Sequence, residues 1–209
     1  MAQAIAIEKV TWQMLKRQFG LQRAQDETFF AEWKTDLPKM DAYEKKGVER
    51  IKAAYHNMEE LDLVLESSVN VAILGPLLET AGLFLPPFHL ETEKPVEFSI
   101  TDEQDARLKG RLDALIIKDF LWILTIESKQ AGFSLRVGIA QLLAYMMAAP
   151  KAQKSVYGMI TNGRSFMFIK LERSPRLVYE RSKEFIIGQD SGLEQTLRIL
   201  KKLSTLAFG

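Results

Sequence analysis

The 209-residue chain has no cysteine and only two histidines, His56 and His89. Without thiols there is no disulfide framework, no thiolate metal site and no thiol nucleophile. The two imidazoles are far apart in sequence and show no ligand spacing, so neither is given a role. No apolar run approaches the length needed to cross a bilayer. The opening "MAQAIAIEKVTWQMLKRQFG" is too acidic, and its apolar part too short, for a signal peptide. A soluble cytoplasmic protein is expected, without a membrane partner. Gly-x-Gly-x-x-Gly and Walker patterns are absent, so no nucleotide cofactor or ATP-driven motor is expected. Internal repeats, low-complexity stretches and Gly/Ser linkers are missing too.

What is present is ordinary globular composition, 47% hydrophobic and 26% charged, with length for one large domain. The net charge of +1 hides an asymmetry. Residues 1–105 hold 11 Lys/Arg against 19 Asp/Glu, and residues 106–209 hold 17 against 8. The basic half faces either a polyanion or the acidic half of its own chain.

Apolar residues recur at helical spacing across 5–62: Trp12, Leu15 and Phe19, then Phe29, Phe30 and Trp33, then Tyr43, Val48, Ile51 and Tyr55. Pro38 is expected to start the third of these helices. Residues 1–62 thus read as a helical N-terminal arm for packing or dimerisation. Another helix is expected over 63–81, kinked or split at Pro76 and ended by Gly82. Strand-like runs follow at 95–100, 111–117 and 121–128, the last two joined by a tight link. A helix over 136–149 stops at Pro150. "SVYGMIT" and "SFMFIKLE" flank Asn162-Gly163-Arg164, a hairpin signal. The last helix takes Ser191 as N-cap, with Glu194 completing a capping box. Met146 and Met147 read as core filler. This order predicts an α/β domain over 63–209, a mixed central sheet flanked by helices.

Inside that sheet lies "GRLDALIIKDFLWILTIESKQ", an apolar hairpin carrying Asp113, Glu127 and Lys129. Buried charges cost several kcal/mol unless paired or metal-bound. Strand alternation points Glu127 and Lys129 the same way, and a hairpin closed near 119–121 sets Asp113 beside Glu127. Two carboxylates and an ammonium on an apolar scaffold suit a hard divalent cation. Such a cation can activate water and neutralise charge at phosphorus, while the lysine orients the water. A structural salt-bridge cluster is the plain alternative, although folding does not call for one.

Asp113 followed by Glu127-Ser128-Lys129 on the next strand resembles the PD-(D/E)XK, or restriction-endonuclease-like, nuclease superfamily, with Leu112 where the name has Pro. "QLLAY", with Gln141 and Tyr145 one turn apart, is similar to the Gln-x-x-x-Tyr signature of several branches. "YGMITNGRSFMFIKLE" resembles the hairpin after the core in the N-terminal nuclease domain of type I restriction enzyme motor subunits, and "ESSVNVAILGPLLETAG" resembles the preceding helix. The likeness spans roughly residues 63–171. It implies a restriction-endonuclease-like fold and a Mg²⁺- or Mn²⁺-dependent nuclease acting on DNA, most simply an endonuclease, as a stand-alone module and in many relatives a dimer.

By the same resemblance Asp113, Glu127 and the Ser128 carbonyl bind the metal, with Glu66 as the extra ligand and Asn70 as a possible helper. Glu79 falls on another helix face and reads as a solvated acid. Lys129 orients or activates the attacking water, and Gln141 positions Lys129 or a phosphate. Tyr145, Arg111, Arg136, Asn162 and Arg164 are candidate substrate contacts; Lys109, Lys151 and Lys154 are further candidates for phosphate. Taken singly, each basic residue reads first as solvated surface. The alternative function is a catalytically silent DNA-binding or scaffolding subunit of a restriction or repair complex. A third is a regulatory protein whose basic half docks on its own acidic arm.

Overall fold

Between Ala4 and Glu60 the sequence makes less helix than its periodicity suggests. The computed structural model describes residues 4–61, 65–99, 107–129, 134–173 and 175–206. Strand β1 (Ala4–Ala6), a 3-10 turn over Ile7–Lys9, helix α1 (Trp12–Phe19) and strand β2 (Gln22–Arg23) come first. An irregular stretch follows and leads into α2 (Ala42–Glu60). The expectation of helix throughout 5–62 is therefore corrected. Phe29, Phe30 and Trp33 do face the interior, but from turns rather than a helix. The start expected at Pro38 is corrected as well. Asp41 caps α2, accepting from Glu44 N while the Glu44 side chain accepts from Asp41 N, a reciprocal pair that satisfies two orphan donors.

The rest of the chain supplies β3 (His89–Ser99), β4 (Arg107–Lys118), β5 (Leu121–Ser128), α5 (Leu135–Met147), β6 (Ser155–Thr161), β7 (Ser165–Glu172), β8 (Val178–Arg181), β9 (Phe185–Ile186) and α6 (Gly192–Leu206). Ahead of β3, α3 (Glu66–Val69) runs through a π segment (Asn70–Leu74) into α4 (Gly75–Thr80). Pro76 sits in the first turn of α4, where its missing N–H costs nothing, and the wider π turn before it takes up the break. Gly82, at φ +76°, ends the run as expected. The expected start at residue 63, the boundary between 62 and 63, and the link 101–106 lie outside the described residues. At α6, Glu194 does not close a capping box. Its carboxylate accepts from Lys52 of α2 at 2.6 Å instead.

The sheet is mixed. β3–β4, β4–β5, β6–β7, β7–β8 and β7–β9 pair antiparallel; β5–β6, β1–β4 and β2–β8 pair parallel. α5 makes the crossover between β5 and β6, as a parallel pair requires. β3 occupies one edge of β4 along 107–117, so β1 must share the other edge with β5, end to end. α1 and α5 cover one face over Leu112, Leu115, Ile160 and Ile169. α2, α4 and α6 cover the other over Ile116, Ile126, Phe166 and Phe168. The segment expected as an arm thus contributes Ile7 and Leu15 to one layer and Val48 and Ile51 to the other. Among the described residues no helix is long and apolar enough to cross a membrane.

Candidate active site

Open α/β sheets bind ligands beyond the carboxyl ends of their parallel strands. Glu127 and Ser128 are the last two residues of β5, and Lys129 follows. Lys129 N donates to Thr161 O at the end of β6, 2.8 Å away, which fixes where the lysine leaves the sheet. Ala114 pairs with Ile126, so Asp113 continues the register opposite Glu127. The backbone ladder stops there, and the Asp113 side chain takes it over. Its Oδ2 accepts from Ser128 N at 2.7 Å and Ser128 Oγ at 3.0 Å.

Asp113 also marks a change of phase along β4. Leu108 and Leu112 belong to the α1/α5 layer, and a regular strand would send Ala114 and Ile116 there too. These two belong to the opposite layer instead, while Leu115 and Ile117 join the first. The partner strand flips likewise between Leu90 and Val96. Between them Glu93 has φ +52° and stands opposite Asp113, flanked by the pairs Thr92↔Ala114 and Lys94↔Leu112. Breaks of this kind re-aim side chains.

Glu127 is 1% exposed. One of its oxygens accepts from Lys129 Nζ at 2.5 Å, and Oε2 is buried without a partner. Lys129 Nζ also donates to Gln141 Oε1 at 3.0 Å, so α5 holds the lysine from the far side. Glu66 opens α3, and its carboxylate feels both Asp113 and Lys129. Gly163 brings this helix close. At φ +81° it turns the β6–β7 hairpin, and a Cβ there would stand 2.5 Å from Val69 Cγ2, one turn along from Glu66. Asn70, at the start of the π segment, has a buried Oδ1 without a partner.

Other expected contacts are placed differently. Tyr145 is 0% exposed, and its hydroxyl donates to Arg111 O at 2.8 Å. In this structure the tyrosine ties α5 to β4. Gly110 makes the approach feasible, because a Cβ there would stand 2.7 Å from the Tyr145 hydroxyl and 2.9 Å from Ile7 Cβ. Asn162 is also buried and shapes the hairpin, its Oδ1 accepting from Arg164 N and Ser165 N. Arg136, in the first turn of α5, and Arg164, at the β6–β7 turn, are exposed at the site's end of the sheet. Arg111 is exposed and stands 3.6 Å from Glu93, and Lys109 pairs with Glu97 at 3.3 Å. Lys151 and Lys154 precede β6 and so lie a strand's length from the site. Glu79 accepts from Tyr43 OH, away from the cluster. Glu93 escaped the sequence reading, which began its strand at residue 95; no periodicity announces a residue at a phase break.

Burial pushes the Glu127 carboxyl up to about 8, and the charge of Asp113 adds to the effect while Lys129 opposes it. Asp113 is raised by burial against the pull of its two Ser128 hydrogen bonds. Glu66 is raised by burial and then by Asp113. One ammonium is thus shared among several carboxylates that resist ionising together. Among the described residues no three acidic or imidazole groups are gathered closely enough to hold a metal ion as they stand. The donor chemistry nevertheless fits a hard divalent cation: every side-chain ligand on offer is oxygen, and Glu127 Oε2 lacks any partner.

No family model matches the chain. No curated protein matches it either. A solved structure described as the crystal structure of SSO0001 is 18% identical, with 77% of this chain and 74% of that chain covered, at a TM-score of 0.28. A likeness at that level carries no argument about fold or function.

Proposed function

We propose that the chain is a Mg²⁺- or Mn²⁺-dependent nuclease of restriction-endonuclease-like fold that hydrolyses DNA phosphodiester bonds. The observation that carries this reading is Glu127, buried beside Asp113 with one carboxylate oxygen unpartnered at the carboxyl end of β5. Nothing in folding favours leaving such a buried oxygen without a protein partner. Asp113, Glu127 and the Ser128 carbonyl would hold the cation, with Glu66 completing the set. When bound, the ion supplies Lewis acidity and charge neutralisation at the phosphorus.

The protein's own groups do the rest. Ser128 fixes Asp113 through two hydrogen bonds and leaves it little rotational freedom. Gln141 holds Lys129 Nζ in line with Glu127, so the ammonium can orient a water and meet charge developing on the phosphate. Arg111, Arg136 and Arg164 would take backbone phosphates, which position a duplex without reading its bases. A homodimer, bringing two sites to the two strands of a duplex, belongs to the same proposal.

A second reading has its own support. Lys129 sits directly on Glu127, and the acids are not gathered round a common point. A silent DNA-binding or scaffolding subunit would look the same. Incubating supercoiled and linear DNA with the purified protein in Mg²⁺, Mn²⁺ or EDTA separates the two. Metal-dependent nicking is expected, reduced by about 10²-fold or more in Glu127→Ala and Lys129→Ala. A folded wild-type protein that binds DNA and cuts nothing in either metal would move the assignment to the silent subunit.

A further inference from the structure

Glu93 belongs to none of the motifs above, yet three observations converge on it. First, it sits at the phase break of β3 with φ +52°, directly across from Asp113. A left-handed glutamate inside a strand is uncommon, and residues held this way cluster at functional sites. Second, Arg111 Nη1 lies 3.6 Å from its carboxylate, with both side chains about two-thirds exposed. Tyr145 holds the Arg111 carbonyl from behind, so the guanidinium leaves β4 from a fixed point. Third, the Glu93 charge reaches Asp113 and Glu66, adding to what burial does to both.

These groups form one charged patch. Glu66, Glu93, Asp113 and Glu127 supply four carboxylates, while Lys129 and Arg111 supply two cations. Glu127 contributes the buried, unpartnered Oε2. With all four acids ionised, the excess is two negative charges, which one divalent ion would neutralise. Drawing Arg111 away raises the excess to three.

We propose that Glu93 is a further cation ligand of this site, held in reserve by Arg111 and released when a substrate phosphate takes the guanidinium. The inference rests on the nuclease reading and deepens it, because it makes cation binding depend on the substrate. An exposed ion pair at 3.6 Å is weak and readily exchanged. A phosphodiester offers the planar guanidinium two non-bridging oxygens for a bidentate, charge-assisted contact instead. The freed Glu93 carboxylate is then available to the divalent cation. The ion would be gripped tightly only when a phosphodiester is already seated, which guards against idle hydrolysis.

The test is Mn²⁺ binding by isothermal titration calorimetry, with the full chain alone and with a short duplex of non-hydrolysable phosphorothioate linkages. Wild type should bind Mn²⁺ about tenfold more tightly with the duplex than without it. Arg111→Gln should show most of that gain with no duplex present. Glu93→Gln should bind Mn²⁺ like wild type in the free protein and lose the gain with the duplex. In the Glu93→Gln/Arg111→Gln double variant the gain should vanish, the non-additivity expected of coupled residues. A gain that survives in the double variant would be general electrostatics and would overturn the proposal, as would an Arg111→Gln protein with unchanged affinity. Glu127→Gln keeps the two levels apart. If it binds Mn²⁺ as wild type does, the nuclease reading fails and takes this inference with it. If it loses Mn²⁺ while Glu93→Gln changes nothing, only the role of Glu93 falls.

Discussion

Glu127 is the residue on which the energetics turn. Its carboxyl prefers the protonated form in the folded chain, with a value pushed up to about 8, and Asp113 and Glu66 are shifted in the same direction. A group raised by folding contributes stability that is complete below its ordinary carboxylate range and is lost as pH rises through its folded value. The unliganded protein should therefore melt at progressively lower temperature as pH rises from about 5 to about 8 and level off above that. Glu127→Gln should flatten that slope, and differential scanning calorimetry across the range would show it. A slope identical in both proteins would mean that the buried carboxyl is not the group responsible. Added Mg²⁺ should reverse the loss in wild type but not in the variant, since a ligand bound only by the native state stabilises it. The sequence made Glu127 and Lys129 legible because Glu-x-Lys closes a plain apolar strand. Glu93 and the true depth of Tyr145 were not legible. The first depends on a pleat break created by two strands together. The second lies on a helix with ten of its 13 residues buried, where periodicity has no polar face to read from.

Among the elements, β4 and α5 form a locked pair. Gly110 lets the Tyr145 hydroxyl reach the Arg111 carbonyl, and the strand bearing Asp113 is thereby fixed to the helix bearing Gln141. Gly110→Ala should destabilise the protein by about 1–3 kcal/mol, because the added methyl has to displace a buried ring or Ile7. Tyr145→Phe should cost about 1–3 kcal/mol by orphaning a carbonyl and should leave cation binding intact. Denaturant titrations of both variants would check the pair; a neutral Gly110→Ala would show that the contact has slack. Locally signalled elements were readable: the β4–β5 hairpin, the Asn-Gly turn of β6–β7, and α5 stopped by Pro150. The strands β1, β2, β8 and β9 were not, since each has only two to four residues, and β1 and β2 exist through partners distant in the sequence. The helical spacing of Phe29, Phe30 and Trp33 misled for a related reason, as these aromatic residues are set by the layer they cover rather than by a helix of their own, whereas Trp12, Leu15 and Phe19 do lie on α1.

Across the whole molecule, the charge asymmetry is used in two ways. Some acids of the first half pair with bases of the second: Glu32 with Lys170 at 2.7 Å, Glu44 with Lys201 at 2.5 Å, and Glu97 with Lys109. Arg136 and Arg164 stay exposed at the end of the sheet that carries the site, while Lys151 and Lys154 are exposed at the other end. If DNA lies over the site, Arg136→Ala and Arg164→Ala should each weaken binding and lower the slope of log K against log salt by about one. Lys151→Ala and Lys154→Ala should change neither. Fluorescence anisotropy over a salt series would decide, and four equal effects would place the duplex somewhere other than the site.

The edge shared by β1 and β5 has a consequence for how the protein is made. Ala4 pairs with Arg107, so this short strand leaves the ribosome roughly a hundred residues ahead of its partner. At about 5–20 residues per second the wait is on the order of 5–20 s. Throughout it Ile5 and Ile7, which end against the core, have nothing to rest on. β1 can dock only once residues 107–109 have emerged, and until it does so that edge of β4 stays open to any other extended chain.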